Sequence, residues 1–320
     1  MSTEAEDRVT YGAASKAASA PRGVWTHAQA ADGTQIAWRA DGPASQPGLG
    51  RAAVVFCNGI ACSDGYWGGM AGQLAGYRTV VRWDYRGHHR SGASTDSTAV
   101  GPGVLAGDLA TVIEAADVPR VVLIGHSYGV QIALHASALL GERLRGLVAV
   151  CGAAGRALHG LPGPIPATVA LPALRATAAL APGLAARAWQ TVWDSPAPYW
   201  IARAIGGTSS SVPRYVLDDF QRHVAGLDPE RLGAMMHAMA TDDASDVLPG
   251  LQIPVLAAAG RRDRITPLHR VRAIAESAPR GALVIHPRAT HTLPVEHPAW
   301  LTTQLQPLLA AADRDETDTR

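Results

Sequence analysis

A segment around residue 127 constrains the fold of this chain more than any other part of its sequence. The pentapeptide Gly125-His126-Ser127-Tyr128-Gly129 follows the apolar run 120–124 and opens an Ala/Leu-rich stretch that predicts a helix. Glycines two residues either side of a serine let a strand and a helix pass close together at a tight turn. Such a turn strains the serine backbone and keeps the hydroxyl exposed. The segment therefore predicts a serine presented above the edge of a sheet.

The rest of the chain alternates between strand and helix patterns. Short apolar runs predict eight strands, at residues 24–30, 34–40, 52–57, 77–83, 120–124, 146–151, 253–259 and 282–286. Helical patterns cover residues 104–116, 130–140, 268–278 and 300–312. Asp32-Gly33 favours a hairpin between the first two strands. This alternation predicts an α/β fold with an eight-stranded, mostly parallel sheet covered by helices on both faces.

One long stretch breaks the alternation. Residues 152–249 are rich in Ala, Leu and Pro and hold three of the eight Trp and three of the five Met residues. A crossover of this length is too long to be simple, so we expect an inserted helical cap. The core would then have two parts, 23–151 and 250–312. Residues 1–22 and 313–320 have the composition of disordered tails.

Charge and cysteine content exclude several classes of function. The formal net charge is +1, which gives no electrostatic reason to expect nucleic acid or an anionic membrane as partner. The three cysteines are too few and too scattered for a disulfide framework or a zinc site. We therefore expect reduced thiols, no metal and no organic cofactor. The composition leaves the oligomeric state open.

The sequence carries no targeting signal that we recognise. Residues 1–22 are polar, with acidic residues where a signal peptide would carry positive charge and no apolar core segment. No run of apolar residues approaches the length of a membrane span. The expected location is the cytoplasm.

An activated serine needs a general base, and the base needs an anionic partner. In an open α/β sheet both groups should follow the carboxyl ends of later strands. Asp263 lies just after the strand 253–259, and His291 lies after the last strand. The chain order Ser127, Asp263, His291 is the one expected with a serine on this kind of turn. We predict these three residues as the catalytic set.

The negative oxygen that develops during acyl transfer needs backbone N–H donors. The amide of Tyr128, directly after the serine, is one candidate. The loop after the third strand, Cys57-Asn58-Gly59-Ile60-Ala61-Cys62-Ser63, offers the amide of Ile60 as the other. Asn58 and Ser63 are candidates to brace this loop by hydrogen bonds.

These motifs together resemble those of the α/β-hydrolase superfamily, in particular its capped single-domain serine hydrolases. Phe56-Cys57-Asn58-Gly59-Ile60 with Trp67 resembles the superfamily's His-Gly-x-x-x-Ser-x-x-x-Trp oxyanion segment. Residues 84–91 resemble its Asp-x-Arg-Gly-x-Gly-x-Ser turn, and Glu296-His297-Pro298 resembles its Glu-x-Pro before the last helix. The resemblance covers residues 24–312 and implies the fold and a serine nucleophile, without specifying a substrate.

Three positions depart from that pattern. Asn58 stands in place of a histidine, His89 in place of a glycine, and Thr290 where a glycine often precedes the catalytic histidine. None of these changes removes a group that does chemistry. The resemblance also assigns His88, His89 and Asp84 to a structural turn, and Cys62 has no nearby base that would make it a nucleophile.

Candidate substrate-binding residues are Trp67, His126, Trp193 and Met236. His126 flanks the serine, where it either packs or lines the pocket. The Trp and Met residues of the cap are consistent both with plain helix packing and with a hydrophobic substrate pocket.

The sequence thus predicts a serine hydrolase that cleaves a carboxylic ester, lactone or thioester of a hydrophobic small molecule through an acyl-enzyme on Ser127. Alternatives that share the triad are a cofactor-free perhydrolase of the haloperoxidase type, a carbon–carbon bond hydrolase, and an enzyme that transfers or cyclises the acyl group in a biosynthetic pathway. Epoxide hydrolase and haloalkane dehalogenase are disfavoured, because those relatives carry an aspartate nucleophile. A non-catalytic ligand-binding receptor is the alternative of another class.

Overall fold

The computed structural model describes residues 23–43, 51–157, 180–204 and 206–314, and these form one eight-stranded sheet. The strands are β1 (Thr26–Gln29), β2 (Gln35–Asp41), β3 (Ala53–Cys57), β4 (Val80–Trp83), β5 (Val121–His126), β6 (Leu144–Val150), β7 (Val255–Gly260) and β8 (Gly281–His286). Their order across the sheet is β1-β2-β4-β3-β5-β6-β7-β8. Only the pairs β1–β2 and β2–β4 are antiparallel. The predicted eight-stranded, mostly parallel sheet is confirmed.

Helices cover both faces of the sheet. The helices of the described residues are α1 (Gly68–Ala75), α2 (Pro102–Ala115), α3 (Tyr128–Leu140), α4 (Pro182–Trp193), α5 (Ala197–Ala204), α6 (Arg214–Gly226), α7 (Pro229–Thr241), α8 (Leu268–Ser277), α9 (Leu293–Glu296) and α10 (Pro298–Asp313). Because side chains alternate along a strand, Val55 packs toward α2, α3 and α8, while Val54 and Phe56 pack toward α1 and α10. No helix in the described part of the chain is long and apolar enough to cross a membrane.

The long connection between β6 and β7 contains the helices α4 to α7 and, among its described residues, no strand. Residues 158–179 of the predicted cap lie outside the described residues, and the boundaries 152–249 stay a prediction. The predicted tail 1–22 also lies outside them, as do residues 315–320. Asp313, predicted as the first residue of the tail, ends α10 and accepts a hydrogen bond from the amide of Ala52 at 2.9 Å.

The strand order places a switch point between β3 and β5. From β3 the chain continues to β4 on one side, and then returns to β5 on the other side of β3. The loops that leave the carboxyl ends of β3 and β5 therefore diverge and leave a crevice, which is the preferred ligand site of an open parallel sheet. The loop containing Ile60 and the turn containing Ser127 flank this crevice.

A buried ion-pair network fixes the turn after β4. Arg86 donates two hydrogen bonds to Asp108 of α2, at 2.7 and 2.6 Å, and a third to Asp32 at 2.7 Å. Arg86 and Asp108 are both buried. Burial raises the pKa of Asp108, and the hydrogen bonds and positive charge of Arg86 oppose that effect. Loss of one partner would leave the other charge buried without compensation.

We expect Arg86→Met to lower the free energy of unfolding by about 3–5 kcal/mol, because the buried Asp108 carboxylate would lose the positive charge that pairs with it. Urea unfolding followed by circular dichroism measures the change. The control is Arg214→Ala, which breaks the exposed Arg214–Asp218 pair and should have no measurable effect. An equal loss in the two variants would show that the buried network contributes nothing beyond a surface pair.

Candidate active site

Ser127 occupies the strained turn that its flanking glycines predict. Its backbone has φ 52° and ψ −116°, a left-handed conformation that is unfavourable for any residue with a side chain. A Cβ at Gly125 would lie 2.5 Å from the carbonyl oxygen of Gly129, and a Cβ at Gly129 would overlap the carbonyl oxygen of Cys57. Both glycines are therefore required by close backbone approach. The turn joins β5 directly to α3.

His291 and Asp263 form a buried pair beyond the ends of β8 and β7. The Nδ1 atom of His291 lies 2.9 Å from Oδ2 of Asp263, whose side chain is 1% exposed. The other oxygen of Asp263 accepts hydrogen bonds from the amides of Ile265 and Thr266, at 2.8 and 2.9 Å. A carboxylate held in this way fixes the imidazole with its proton on Nδ1 and leaves Nε2 free to accept a proton.

The structure brings this pair to the turn that carries Ser127. The carbonyl oxygen of His291 lies 2.9 Å from Nε2 of His126, the residue before the serine, and the two imidazole rings are 4.9 Å apart. Within the described residues the Ser127 hydroxyl makes no hydrogen bond, including none to His291. Nucleophile–base hydrogen bonds often tighten only when substrate binds.

The loop that carries His291 is braced from its far side by Glu296. One oxygen of Glu296 accepts the Thr290 amide at 2.7 Å, and the other accepts the Thr290 hydroxyl at 2.8 Å. The hydroxyl also lies 3.1 Å from that of Thr292. Threonine at position 290, where a glycine is common, therefore adds a side-chain contact next to the histidine. The sequence alone gave no sign of this contact.

The loop after β3 is braced by Asn58, as predicted. Its side-chain oxygen accepts the Trp67 indole N–H at 2.8 Å, and its amide group donates to the carbonyl of Trp83 at 3.2 Å. Tyr85 donates to the backbone carbonyl of Asn58 at 2.6 Å. Ser63 instead bonds outward, to Asp219 of α6 at 2.8 Å.

The two predicted oxyanion donors lie on the elements that flank the crevice. Tyr128 is the first residue of α3, so its amide is one of the N–H groups that a helix leaves without an internal acceptor. Its phenol is directed elsewhere and donates to the carbonyl of Val100 at 2.8 Å. Ile60 lies beyond β3 and is partly buried against Ala61. Their joint action on a substrate oxygen stays a prediction.

The predicted substrate-binding residues fall into two groups. Trp67 and His126 are almost fully buried, and the ring of Trp67 is stacked on that of Phe56 at 4.5 Å. Trp193 and Met236 are partly buried and pack on the cluster that includes Ala61 of the loop after β3, residues 57–63, which is called the oxyanion loop below for its predicted role. Only the second pair retains exposed side-chain surface next to that loop.

The turn after β4 contacts the helix α6 through histidines. His89 has a positive φ of 45°, and its ring stacks on that of His223 at 3.5 Å. His88 lies 5.3 Å from His223 and is buried. Asp84 accepts the amide and guanidinium of Arg90, at 3.2 and 3.0 Å. These contacts agree with the expected structural role of the turn, and His89 in place of glycine adds a contact to α6.

Two buried histidines predict a loss of stability in mild acid. Burial lowers the pKa of His88 to about 4 and that of His126 to about 3. As the pH falls below the unfolded value of 6.5, the unfolded chain binds protons that the folded chain excludes, so stability decreases between about pH 6.5 and 4. Each histidine contributes a loss of about 2 kcal/mol at pH 5 relative to pH 8.

Urea unfolding at pH 8 and pH 5, on the parent and on His88→Gln, measures this loss. The difference in the free energy of unfolding between pH 8 and pH 5 should be about 2 kcal/mol smaller in the variant than in the parent. The same pH difference in both proteins would contradict the assignment of a neutral His88.

The cysteines are poor candidates for a nucleophile. All three are free and buried. Burial raises the pKa of Cys62, on the oxyanion loop, to about 12, which removes the reactive thiolate at neutral pH. In the described residues no cluster of three or more His, Cys, Asp or Glu side chains is arranged to hold a metal ion.

Comparison with known families decides the identity of this fold. A family model described as the alpha/beta hydrolase family matches residues 54–304, most of the chain. The chain belongs to the alpha/beta hydrolase family. The match includes all but the first residue of β3, and it includes the Ser127 turn, Asp263 and His291. The protein is therefore a hydrolase.

Individual relatives of this hydrolase are distant. An epoxide hydrolase of Caballeronia sordidicola is 32% identical over 95 residues, which span 29% of each chain. An esterase from Thermogutta terrifontis aligns with a TM-score of 0.70 and 21% identity, over 91% of this chain and 100% of that one. The enol-lactonase from Burkholderia xenovorans LB400 aligns with a TM-score of 0.69 and 20% identity, over 89% and 100%. At such identities the structural neighbours support the shared fold alone.

Proposed function

We propose that this hydrolase cleaves the carboxylic ester, lactone or thioester of a hydrophobic small molecule through an acyl-enzyme on Ser127. The observation that carries the proposal is the strained serine turn, with the paired His291 and Asp263 on the neighbouring loop. The serine conformation is costly and persists only because the surrounding backbone enforces it. Strain of this kind is concentrated at functional sites.

The proposed reaction has two steps. The Ser127 hydroxyl attacks the acyl carbon while Nε2 of His291 takes its proton, and Asp263 stabilises the resulting imidazolium. The amides of Ile60 and Tyr128 bind the developing oxyanion, each contributing about 3–4 kcal/mol if it behaves like other donors of this kind. His291 then returns its proton to the leaving alkoxide or thiolate. In the second step His291 takes a proton from water, whose oxygen attacks the acyl carbon. The bond from that carbon to the Ser127 oxygen then breaks, His291 returns its proton to the serine oxygen, and the acid is released.

Serine at position 127 favours an ester or lactone over an epoxide. The partial relative is named an epoxide hydrolase. The superfamily resemblance implies an aspartate nucleophile for epoxide hydrolases, whereas this turn carries Ser127. An acyl-enzyme on serine is released by attack at the acyl carbon, which is the chemistry of ester, lactone and thioester hydrolysis. The fold neighbours named as an esterase and an enol-lactonase agree with this choice.

We further propose that the segment 152–249 acts as a cap that supplies an apolar acyl site. Trp193 lies 6.2 Å from Phe220 and 5.4 Å from Trp189. These aromatic side chains pack on a buried cluster that includes Ala61, and Ile60 packs on the same cluster. Apolar surface beside an oxyanion loop favours a hydrophobic acyl group over a sugar or a peptide.

The free buried cysteines are compatible with a cytoplasmic location.

We expect Trp193→Ala to raise KM for p-nitrophenyl octanoate about tenfold, because it removes part of the apolar contact to the chain. KM for p-nitrophenyl acetate should change little. Steady-state kinetics on both esters measure the effect, and Trp200→Ala, an exposed tryptophan on α5, is the matched control. Equal changes for the short and the long ester would exclude Trp193 from the acyl site.

Labelling with a fluorophosphonate probe tests the proposed function. The parent should be labelled, and the label should be lost in Ser127→Ala and in His291→Ala, because the probe reacts only with an activated serine. Circular dichroism establishes that each variant is folded. A folded parent that takes up no label would contradict the hydrolase mechanism and favour the non-catalytic receptor.

A further inference from the structure

His126 lies at the centre of the candidate site, between the loop of His291 and the loop after β3. Its ring lies 4.9 Å from that of His291, 4.8 Å from Tyr66 and 6.1 Å from Trp67, and its side chain is nearly completely buried. The ring therefore contacts the loop of the base on one side and the segment that follows the oxyanion loop on the other. It is connected to Ser127 directly through the backbone.

The hydrogen bond of His126 fixes its tautomer. Nε2 lies 2.9 Å from the backbone carbonyl of His291, and a carbonyl oxygen can only accept, so Nε2 carries the proton and donates it. Nδ1 is then an unprotonated acceptor. It is buried and has no hydrogen-bond partner among the described residues.

The unpartnered Nδ1 faces the oxyanion loop. A Cβ on Gly59 would lie 2.8 Å from Nδ1 of His126 and 3.1 Å from Sγ of Cys62. Gly59 thus lets the loop approach the imidazole edge more closely than any other residue would. The ring separates the backbone of Gly59 from the carbonyl of His291 and contacts both.

The charge state of His126 suits this position. Burial and the neighbouring His291 lower its pKa to about 3, so it stays neutral at any pH at which esters are assayed. A neutral ring keeps its single N–H on the carbonyl of His291. It also adds no positive charge next to the imidazolium that His291 becomes during catalysis.

We propose that His126 is a positioning residue that holds the loop of His291 and the oxyanion loop at a fixed separation on either side of Ser127. The inference rests on the proposed acyl-enzyme function and adds a residue that touches no substrate. The hydrogen bond from His126 to the His291 carbonyl would set the distance between His291 and Ser127. The contact with Gly59 would set the distance between Ser127 and the oxyanion loop. A displacement of about 1 Å at such a site can lower the rate about 100-fold.

The test compares His126→Ala with His126→Gln, since glutamine can place an amide N–H close to the position of Nε2. Steady-state kinetics with p-nitrophenyl butyrate should show kcat lowered about 10–100-fold in His126→Ala, with KM within about twofold of the parent. In His126→Gln, kcat should recover to within about fivefold of the parent. A raised KM at unchanged kcat would instead show that His126 contacts substrate, and equal losses of kcat in both variants would also overturn the proposal.

A second measurement does not depend on turnover. The proton that His291 shares with Asp263 should give a downfield proton NMR signal, identified by its absence in His291→Ala. We expect this signal to broaden or disappear in His126→Ala and to return in His126→Gln. An unchanged signal in His126→Ala would contradict the positioning role. If the parent neither turns over esters nor reacts with the fluorophosphonate, the proposed function fails while this signal still decides the role of His126.

Gly59→Ala provides an independent variant if His126→Ala does not fold. Its methyl group would press on Nδ1 of His126 and displace the ring. We expect kcat to fall about 10–100-fold and the downfield signal of His291 to shift. An unshifted signal together with parental kcat would exclude contact between the imidazole and the loop as a determinant of the site.

Discussion

Replacing Ser127 with alanine is expected to lower kcat/KM for p-nitrophenyl butyrate about 10⁶-fold, the loss found when the nucleophile of a serine triad is removed. Without the hydroxyl no acyl-enzyme forms, and neither His291 nor the oxyanion donors can replace it. The turn should persist in the variant, because Gly125 and Gly129 and not the hydroxyl impose the close backbone approach. Stopped assays at high enzyme concentration measure the residual rate.

Ser137→Ala is the matched control for this prediction. Ser137 lies on the same helix, α3, and donates to the carbonyl of Leu134 at 2.6 Å, with no contact to His291. It should retain activity close to that of the parent. Residual activity within about 100-fold of the parent in Ser127→Ala would assign the nucleophile to another group.

Asp263→Asn is expected to lower kcat about 10⁴-fold, as the loss of the acid does in a serine triad. The physical reason lies in the two sets of contacts of Asp263. The amides of Ile265 and Thr266 need an oxygen, so the variant would turn its NH₂ group toward Nδ1 of His291. An imidazole that accepts at Nδ1 is protonated at Nε2, and it then cannot take the serine proton.

Asp84→Asn serves as control for this second prediction, because Asp84 is a buried acid outside the site and pairs with Arg90. It should lower stability while kcat stays within about tenfold of the parent. Steady-state kinetics on both variants, with thermal melts to establish folding, make the comparison. Similar kcat values for Asp263→Asn and Asp84→Asn would exclude Asp263 as the orienting acid.

Local pattern was sufficient to predict the strands of this fold. Runs such as Val121–Ile124 are fully apolar because both faces of a parallel strand are covered by helices. The helix α1 (Gly68–Ala75) was not among the predicted helices, since its three glycines weaken the pattern. The order of the strands, with β4 between β2 and β3, depends on contacts between distant residues that no local pattern encodes.

The candidate triad was accessible from sequence because its members follow strands in a fixed chain order. The hydrogen bonds that hold these residues and their loops in place could not be predicted from the sequence. His126 reaches the carbonyl of His291 across 165 positions, and Asn58 meets Trp67 only after the loop has folded. Trp67 and His126 were predicted to bind substrate; both are almost fully buried, and their part in substrate binding stays a prediction. An aromatic side chain suits both a hydrophobic core and a substrate pocket, so the sequence alone does not distinguish the two roles.

The most direct test of the account is intact-protein mass spectrometry after rapid acid quench of the enzyme with p-nitrophenyl butyrate. We expect a mass increase of one butyryl group in the parent, located by peptide mapping to Ser127, and no increase in Ser127→Ala. A butyryl group on another residue, or rapid turnover with no adduct and no burst of nitrophenol, would contradict an acyl-enzyme on Ser127.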